Sequence, residues 1–109
     1  MVQEVSRDPT GFEVIPTEKC WTEHIIQRHP EIGQYGDLVI ETIKQPDGIY
    51  LGKRDPSRRI YLKKYPQVTG IGKWLDLLVF AGNQDRHIAT AYFAAYAMRM
   101  LGEQIWPSK

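Results

Sequence analysis

The sequence predicts an α+β domain in which two N-terminal helices pack on a four-stranded antiparallel sheet, with a further helix open to the C-terminal segment. Three observations carry this reading. Apolar residues recur at helical spacing in 18–29 and again after Asp37. The period changes to two after Pro46-Asp47-Gly48. Turn residues at Asp55-Pro56-Ser57, Thr69-Gly70-Ile71-Gly72 and Gly82-Asn83-Gln84-Asp85 then cut the remainder into four strand-sized runs.

Residues 1–16 read as a polar arm, closing on the turn signal Asp8-Pro9-Thr10-Gly11, with Phe12 to Ile15 able to add a short strand. Residues 17–109 form the single domain. Thr17 can cap the first helix, Glu18 suits its first turn, and Pro30 cannot continue it, which sets 18–29. Trp21, Ile25, Ile26 and His29 share one side of it; Cys20, His24 and Arg28 lie on its shoulder. His29 between isoleucines reads as a core histidine, while His24 beside Arg28 reads as one that can meet solvent and substrate. Asp37 is a cap for the second helix, which places Leu38, Val39, Thr42 and Ile43 at helical spacing.

Ile49-Tyr50-Leu51-Gly52 is the first strand of the sheet. The second, Arg58 to Tyr65, alternates: Ile60 and Leu62 fall on one face, and Arg59, Tyr61, Lys63 and Tyr65 on the other. Residues 73–81 are apolar on both faces except for Asp76, as in a central strand. In 86–93, Ala89, Ala91 and Phe93 share one face, on which the alanines let a helix pack closely; Thr90 and Tyr92 then look outward beside Tyr61 and Lys63. Residues 94–101 can extend as the closing helix, ending near Gly102.

The chain has 109 residues, 42% hydrophobic and 25% charged, the proportions of one ordinary globular domain. Its formal net charge of +1 argues against nonspecific binding of long nucleic acid, so any RNA-directed role rests on a local patch. One cysteine excludes an internal disulfide and fits a reducing compartment. No apolar run approaches a membrane span and no signal-peptide core is visible, so a cytoplasmic location is expected.

His24-Ile25, Arg28-His29-Pro30-Glu31, Thr42-Ile43, Pro46-Asp47-Gly48-Ile49-Tyr50, the basic strand Arg58-Arg59-Ile60-Tyr61-Leu62-Lys63-Lys64 and Ala89-Thr90-Ala91-Tyr92 occur in an informative order. Together they resemble the phage-associated branch of the barnase/EndoU/colicin/RelE-like nuclease domains. The resemblance implies a small metal-independent endoribonuclease of toxin or phage and mobile-element type, needing no cofactor. It also implies attack of a ribose 2′-hydroxyl on the adjacent phosphate to leave a 2′,3′-cyclic phosphate.

Such a reaction needs a base, an acid and donors aimed at the charged transition state. His24 has the titration range for base or acid. Lys63, with Arg28 and Arg59, can hold phosphate oxygens, and Thr90 and Tyr92, two apart on a strand, can donate to phosphate. Tyr61 or Tyr65 can stack a base. The expected catalytic residues are therefore His24, Lys63, Thr90 and Tyr92, and the expected substrate contacts Arg28, Arg59, Tyr61 and Tyr65. Against this stand plainer roles: Thr90 and Tyr92 as strand formers, and Arg58, Arg59, Lys63 and Lys64 as a solubilising edge.

Zinc on Cys20 and His24 is a competing chemistry, but His29 faces away and no paired-cysteine motif is present, so no metal is expected. The other class of function is a non-catalytic module of the same fold that binds RNA or a protein. Expected partners are RNA, an immunity or antitoxin protein, and a second copy of the chain; of the apolar residues Tyr96, Met98, Met100, Leu101, Ile105 and Trp106, some can pack on the sheet and some can form that dimer contact.

Overall fold

The computed structural model describes residues 5–15, 36–65, 75–94, 99 and 101–107. The elements are β1 (Ser6–Arg7), β2 (Glu13–Val14), α1 (Gly36–Lys44), β3 (Gly48–Gly52), β4 (Arg58–Tyr65), β5 (Leu75–Gly82), β6 (Ile88–Ala94) and β7 (Leu101–Trp106). β1 and β2 form a small hairpin, and the other strands a five-stranded sheet in the order β6-β5-β4-β3-β7. Every neighbouring pair in it is antiparallel.

α1 forms where the apolar spacing places it. Asp37 lies in its first turn and Lys44 in its last, each facing the favourable end of the helix dipole. Val39, Thr42 and Ile43 are buried against the sheet. The Thr42 hydroxyl donates back to Leu38 O at 2.7 Å. Gln45 N donates to Glu41 O, and the chain then turns at Pro46 and Asp47 into β3. Two turns are set by carboxylates. Asp55 accepts from the amide and hydroxyl of Ser57 between β3 and β4. Asp85 accepts from His87 N between β5 and β6, where Arg86 takes φ 63°, in the left-handed region.

The fold class differs from the expected one. Among the described residues there is one helix, and the sheet has five strands rather than four. The expected helix over 18–29 lies outside the described residues. The closing segment supplies β7, which pairs with β3 at the edge opposite β6. Residues 95–98 and 100 of the expected closing helix lie outside the described residues, and Gly102 falls within β7. A Cβ on it would stand 2.9 Å from Leu51 O, so its bare backbone lets β7 approach β3 across an irregular register.

A second correction concerns the faces. Register pairs Tyr61 with Val79 and Val79 with Ala91, and pairs Ile60 with Phe80 and Phe80 with Thr90. One face therefore carries Ile49, Tyr61, Leu77, Val79 and Ala91, covered by Val39 and Ile43 of α1 and Val14 of β2. The opposite face carries Ile60, Leu62 and Leu78 with Leu101, flanked by Tyr50, Phe80, Tyr92 and Ala94. Ala91 and Phe93 do face the helix side, as expected, but Tyr61 joins them rather than Thr90 and Tyr92.

Candidate functional site

The expected site residues divide between the two faces. Tyr61 is fully buried on the helix side, where its hydroxyl donates to Asp8 Oδ2 at 2.5 Å. Arg59 Nη2 donates to the same carboxylate oxygen at 3.1 Å and to the Thr10 hydroxyl, and its guanidinium lies 4.2 Å from the centre of the Phe12 ring. Asp8 also accepts from Thr10 N, the Thr10 hydroxyl and Phe12 N. Burial by itself would raise the Asp8 carboxyl; the bonds from Thr10 and Tyr61 and the Arg59 charge outweigh it and hold the group below the usual carboxylate range.

Lys63 Nζ donates to Gln45 O at 2.7 Å, and the Tyr65 hydroxyl donates to Glu41 Oε2 at 2.9 Å. Burial first, then the nearby Glu41, pushes the Tyr65 phenol well above its ordinary range. These four side chains bind α1 and the β1–β2 hairpin to the sheet. Arg59, Tyr61 and Tyr65 thus have structural partners in place of an open strip for a base or phosphate, and Lys63 lies on the face away from Thr90 and Tyr92. His24 and Arg28 lie outside the described residues.

Thr90 and Tyr92 do share a face. The Thr90 hydroxyl oxygen is buried and has no hydrogen-bond partner among the described residues. The Tyr92 ring stacks on Phe80 with centroids 5.6 Å apart and planes 18° from parallel. Burial raises the Tyr92 phenol, which makes it a weaker acid and leaves it protonated at neutral pH.

On this same face a cavity of about 340 Å3 opens beside the β3–β4 turn. Its apolar lining is Ile60 and Phe80, adjacent residues in the β4–β5 register. Its charged lining is Lys53, Arg54 and Asp55 from the turn, Arg58 from the start of β4, and Arg99 from the segment leading into β7. Gly52 makes the turn tight enough to gather them: a Cβ there would meet Asp55 O at 2.5 Å. Arg58 Nε lies 3.5 Å from Asp55 Oδ2, which orients the guanidinium. Bonds from the Ser57 hydroxyl and amide, followed by the Arg58 charge, keep Asp55 ionised by lowering its pKa.

Four basic residues and one acidic residue thus contribute to a lining whose exposed surface is mostly apolar, on a chain whose formal net charge is only +1. Cationic side chains around an apolar aromatic floor suit an anion joined to a flat apolar group, as in a nucleotide. Of the four basic residues the sequence singles out only Arg58, and then as part of a solubilising edge. The dense run Lys53-Arg54-Asp55 was a signal for the turn half of the site; the approach of Arg99 and Phe80 depends on tertiary packing.

Among the described residues no group of His, Cys, Asp and Glu is placed to hold a metal, and no helix is long and apolar enough to cross a membrane. Of the residues expected either to pack on the sheet or to form a dimer contact, Leu101 is buried on the face away from α1 and Ile105 and Trp106 pack against the helix-side core, while Tyr96, Met98 and Met100 lie outside the described residues. Comparison of the chain with protein-family models, with curated proteins and with solved structures returns no match.

Proposed function

We propose that this domain binds single-stranded RNA on the sheet face away from α1, with one nucleotide seated in the cavity beside the β3–β4 turn. The observation that carries this reading is that Lys53, Arg54, Arg58 and Arg99 line one cavity together with Phe80 on a chain of nearly balanced charge. The cations meet phosphate, and arginine does so in two-pronged fashion. The Phe80–Tyr92 pair gives a base an aromatic surface, and one such stack is worth roughly 1–3 kcal/mol. A wholly acidic peptide would use the cations but leave the rings idle.

Cleavage by the 2′-hydroxyl is the second reading, favoured by the presence of Thr90 and Tyr92 on this same face. Four cations there would stabilise a phosphorane-like transition state, and a protonated tyrosine is suited to donate rather than accept a proton. The test is titration of a labelled oligoribonucleotide against the purified chain and against K53Q/R54Q, whose exposed substitutions spare the core. The double variant should lose about tenfold or more in affinity, and unchanged affinity would refute the assignment. Product with a 2′,3′-cyclic phosphate end, formed in excess chelator and lost in Tyr92→Phe, would establish the second reading. An intact oligonucleotide leaves binding alone.

A further inference from the structure

We infer that the cavity beside the β3–β4 turn holds a purine base, with the sugar-phosphate strand running outside it past Lys53 and Arg54. The inference rests on the RNA-binding reading above and names the part of the nucleotide that the cavity recognises. The exposed wall of this space is mostly apolar: Ile60 and Phe80 are its apolar residues, and the stems of lysine and arginine add carbon surface. A phosphate drawn against such a wall loses hydration for little in return, whereas a planar heteroaromatic ring gains by leaving water. At about 340 Å3 the space lies at the small end of ligand cavities, roughly 300–1,000 Å3, and so takes one ring system rather than a run of stacked bases.

Arg58 and Asp55 stand side by side in the lining, Nε 3.5 Å from Oδ2. Their charges offset, so the pair exerts little net pull on an anion, yet it offers donors beside an acceptor. Asp55 Oδ1 is occupied by the Ser57 amide and hydroxyl, while among the described residues Oδ2 meets only the long Arg58 contact and keeps room to accept. The guanidinium engages Asp55 through Nε and retains its Nη donors. A purine presents the complement, an N–H donor beside a ring nitrogen or carbonyl acceptor. Phe80, half-buried and stacked on Tyr92, supplies the aromatic surface. A purine covers more of that surface than a pyrimidine does, and the gain grows with the apolar area removed from water. Lys53 and Arg54, exposed at the turn, are left for the phosphates that flank the seated nucleotide.

Anisotropy titrations of the full chain test this with three end-labelled oligoribonucleotides of one length: all uridine, the same strand with one central adenosine, and the same strand with one central guanosine. Adenosine and ribose 5-phosphate serve as unlabelled competitors. The purine-bearing strands should bind about fivefold tighter than the all-uridine strand. Phe80→Leu, which keeps an apolar side chain but removes the ring, should bring that ratio toward one, with thermal unfolding checking that the variant is folded; the unsubstituted chain decides the matter if it is not. K53Q/R54Q should weaken all three strands alike and leave the ratio unchanged. Competition by adenosine extends the site to free nucleosides; failure of both competitors, with the purine preference intact, assigns it to a base held within a strand. Ribose 5-phosphate competing better than adenosine, or a purine ratio that collapses in K53Q/R54Q, overturns the inference. Equal and measurable affinities for all three strands overturn it while leaving RNA binding in place, and no binding of any of them overturns both.

Discussion

Asp8 shows how much a single carboxylate can organise. Its buried side chain receives the Tyr61 hydroxyl, the Arg59 guanidinium, two backbone amides and the Thr10 hydroxyl. Asp8→Ala would leave Tyr61 without its acceptor and Arg59 without its counter-charge in a site where Arg59 is only 11% exposed. It should cost about 3 kcal/mol in urea unfolding. Because the folded carboxyl titrates below its ordinary value of 3.8, its contribution is complete above that pH and is lost as the pH falls through the lower folded value. The unfolding midpoint should therefore drop on acidification below about pH 4, and Asp8→Asn should flatten that part of the profile. Asp76 acts in the opposite sense: burial raises its pKa, so acidification relieves a cost there. Thr90 offers a second test. Its buried hydroxyl has no partner among the described residues, so Thr90→Val should raise stability by about 1 kcal/mol. If the hydroxyl also contacts RNA, the same variant will lose affinity, a split between stability and binding that a purely structural threonine would not give.

At the level of elements, α1 and the run β3-β4-β5-β6 were legible because each carries its own local signal. Leu38, Val39, Thr42 and Ile43 recur at helical spacing, and the strand runs alternate or are wholly apolar between Gly, Pro, Asn and Asp turns. β7 was not legible. The segment before it is rich in Ala and Met, residues of high helix propensity, and Gly102 resembles a helix stop. What decides its conformation is the outer edge of β3, which no local pattern reveals. The two glycines flanking this pairing give the corresponding test. Gly102→Ala presses a methyl group against Leu51 O and should destabilise the domain by about 1–3 kcal/mol. Gly52→Ala meets the carbonyl of Asp55 instead. It should distort the turn that presents Lys53 and Arg54 and weaken RNA binding as well, as read by anisotropy beside thermal unfolding.

Across the whole molecule, the sheet has two packed faces, and this is what hid the site. β4 buries Ile60 and Tyr61 fully, on opposite sides, so its alternation does not say which side is solvated. Arg59, Tyr61, Lys63 and Tyr65 read as a polar strip because their heads are polar, yet each head is bonded to the helix, its C-terminal end or the arm. The cavity joins the β3–β4 turn to Phe80 and Arg99, which lie far apart in the sequence. A cavity lined by four basic residues also predicts a salt response for the whole molecule. Log affinity for single-stranded RNA should fall linearly with log salt with a slope near −3 if all four cations engage phosphate, and near −0.7 if only one does.

The position of β7 bears on how the chain is made as well as on how it rests. β3 to β6 join through successive sequence neighbours and can zip up during synthesis, whereas the slot beside β3 waits for the last strand to emerge. A ribosome stalled before Leu101, or a protease cutting there, would release a sheet with a naked row of amides and carbonyls along β3, inviting strands from other molecules.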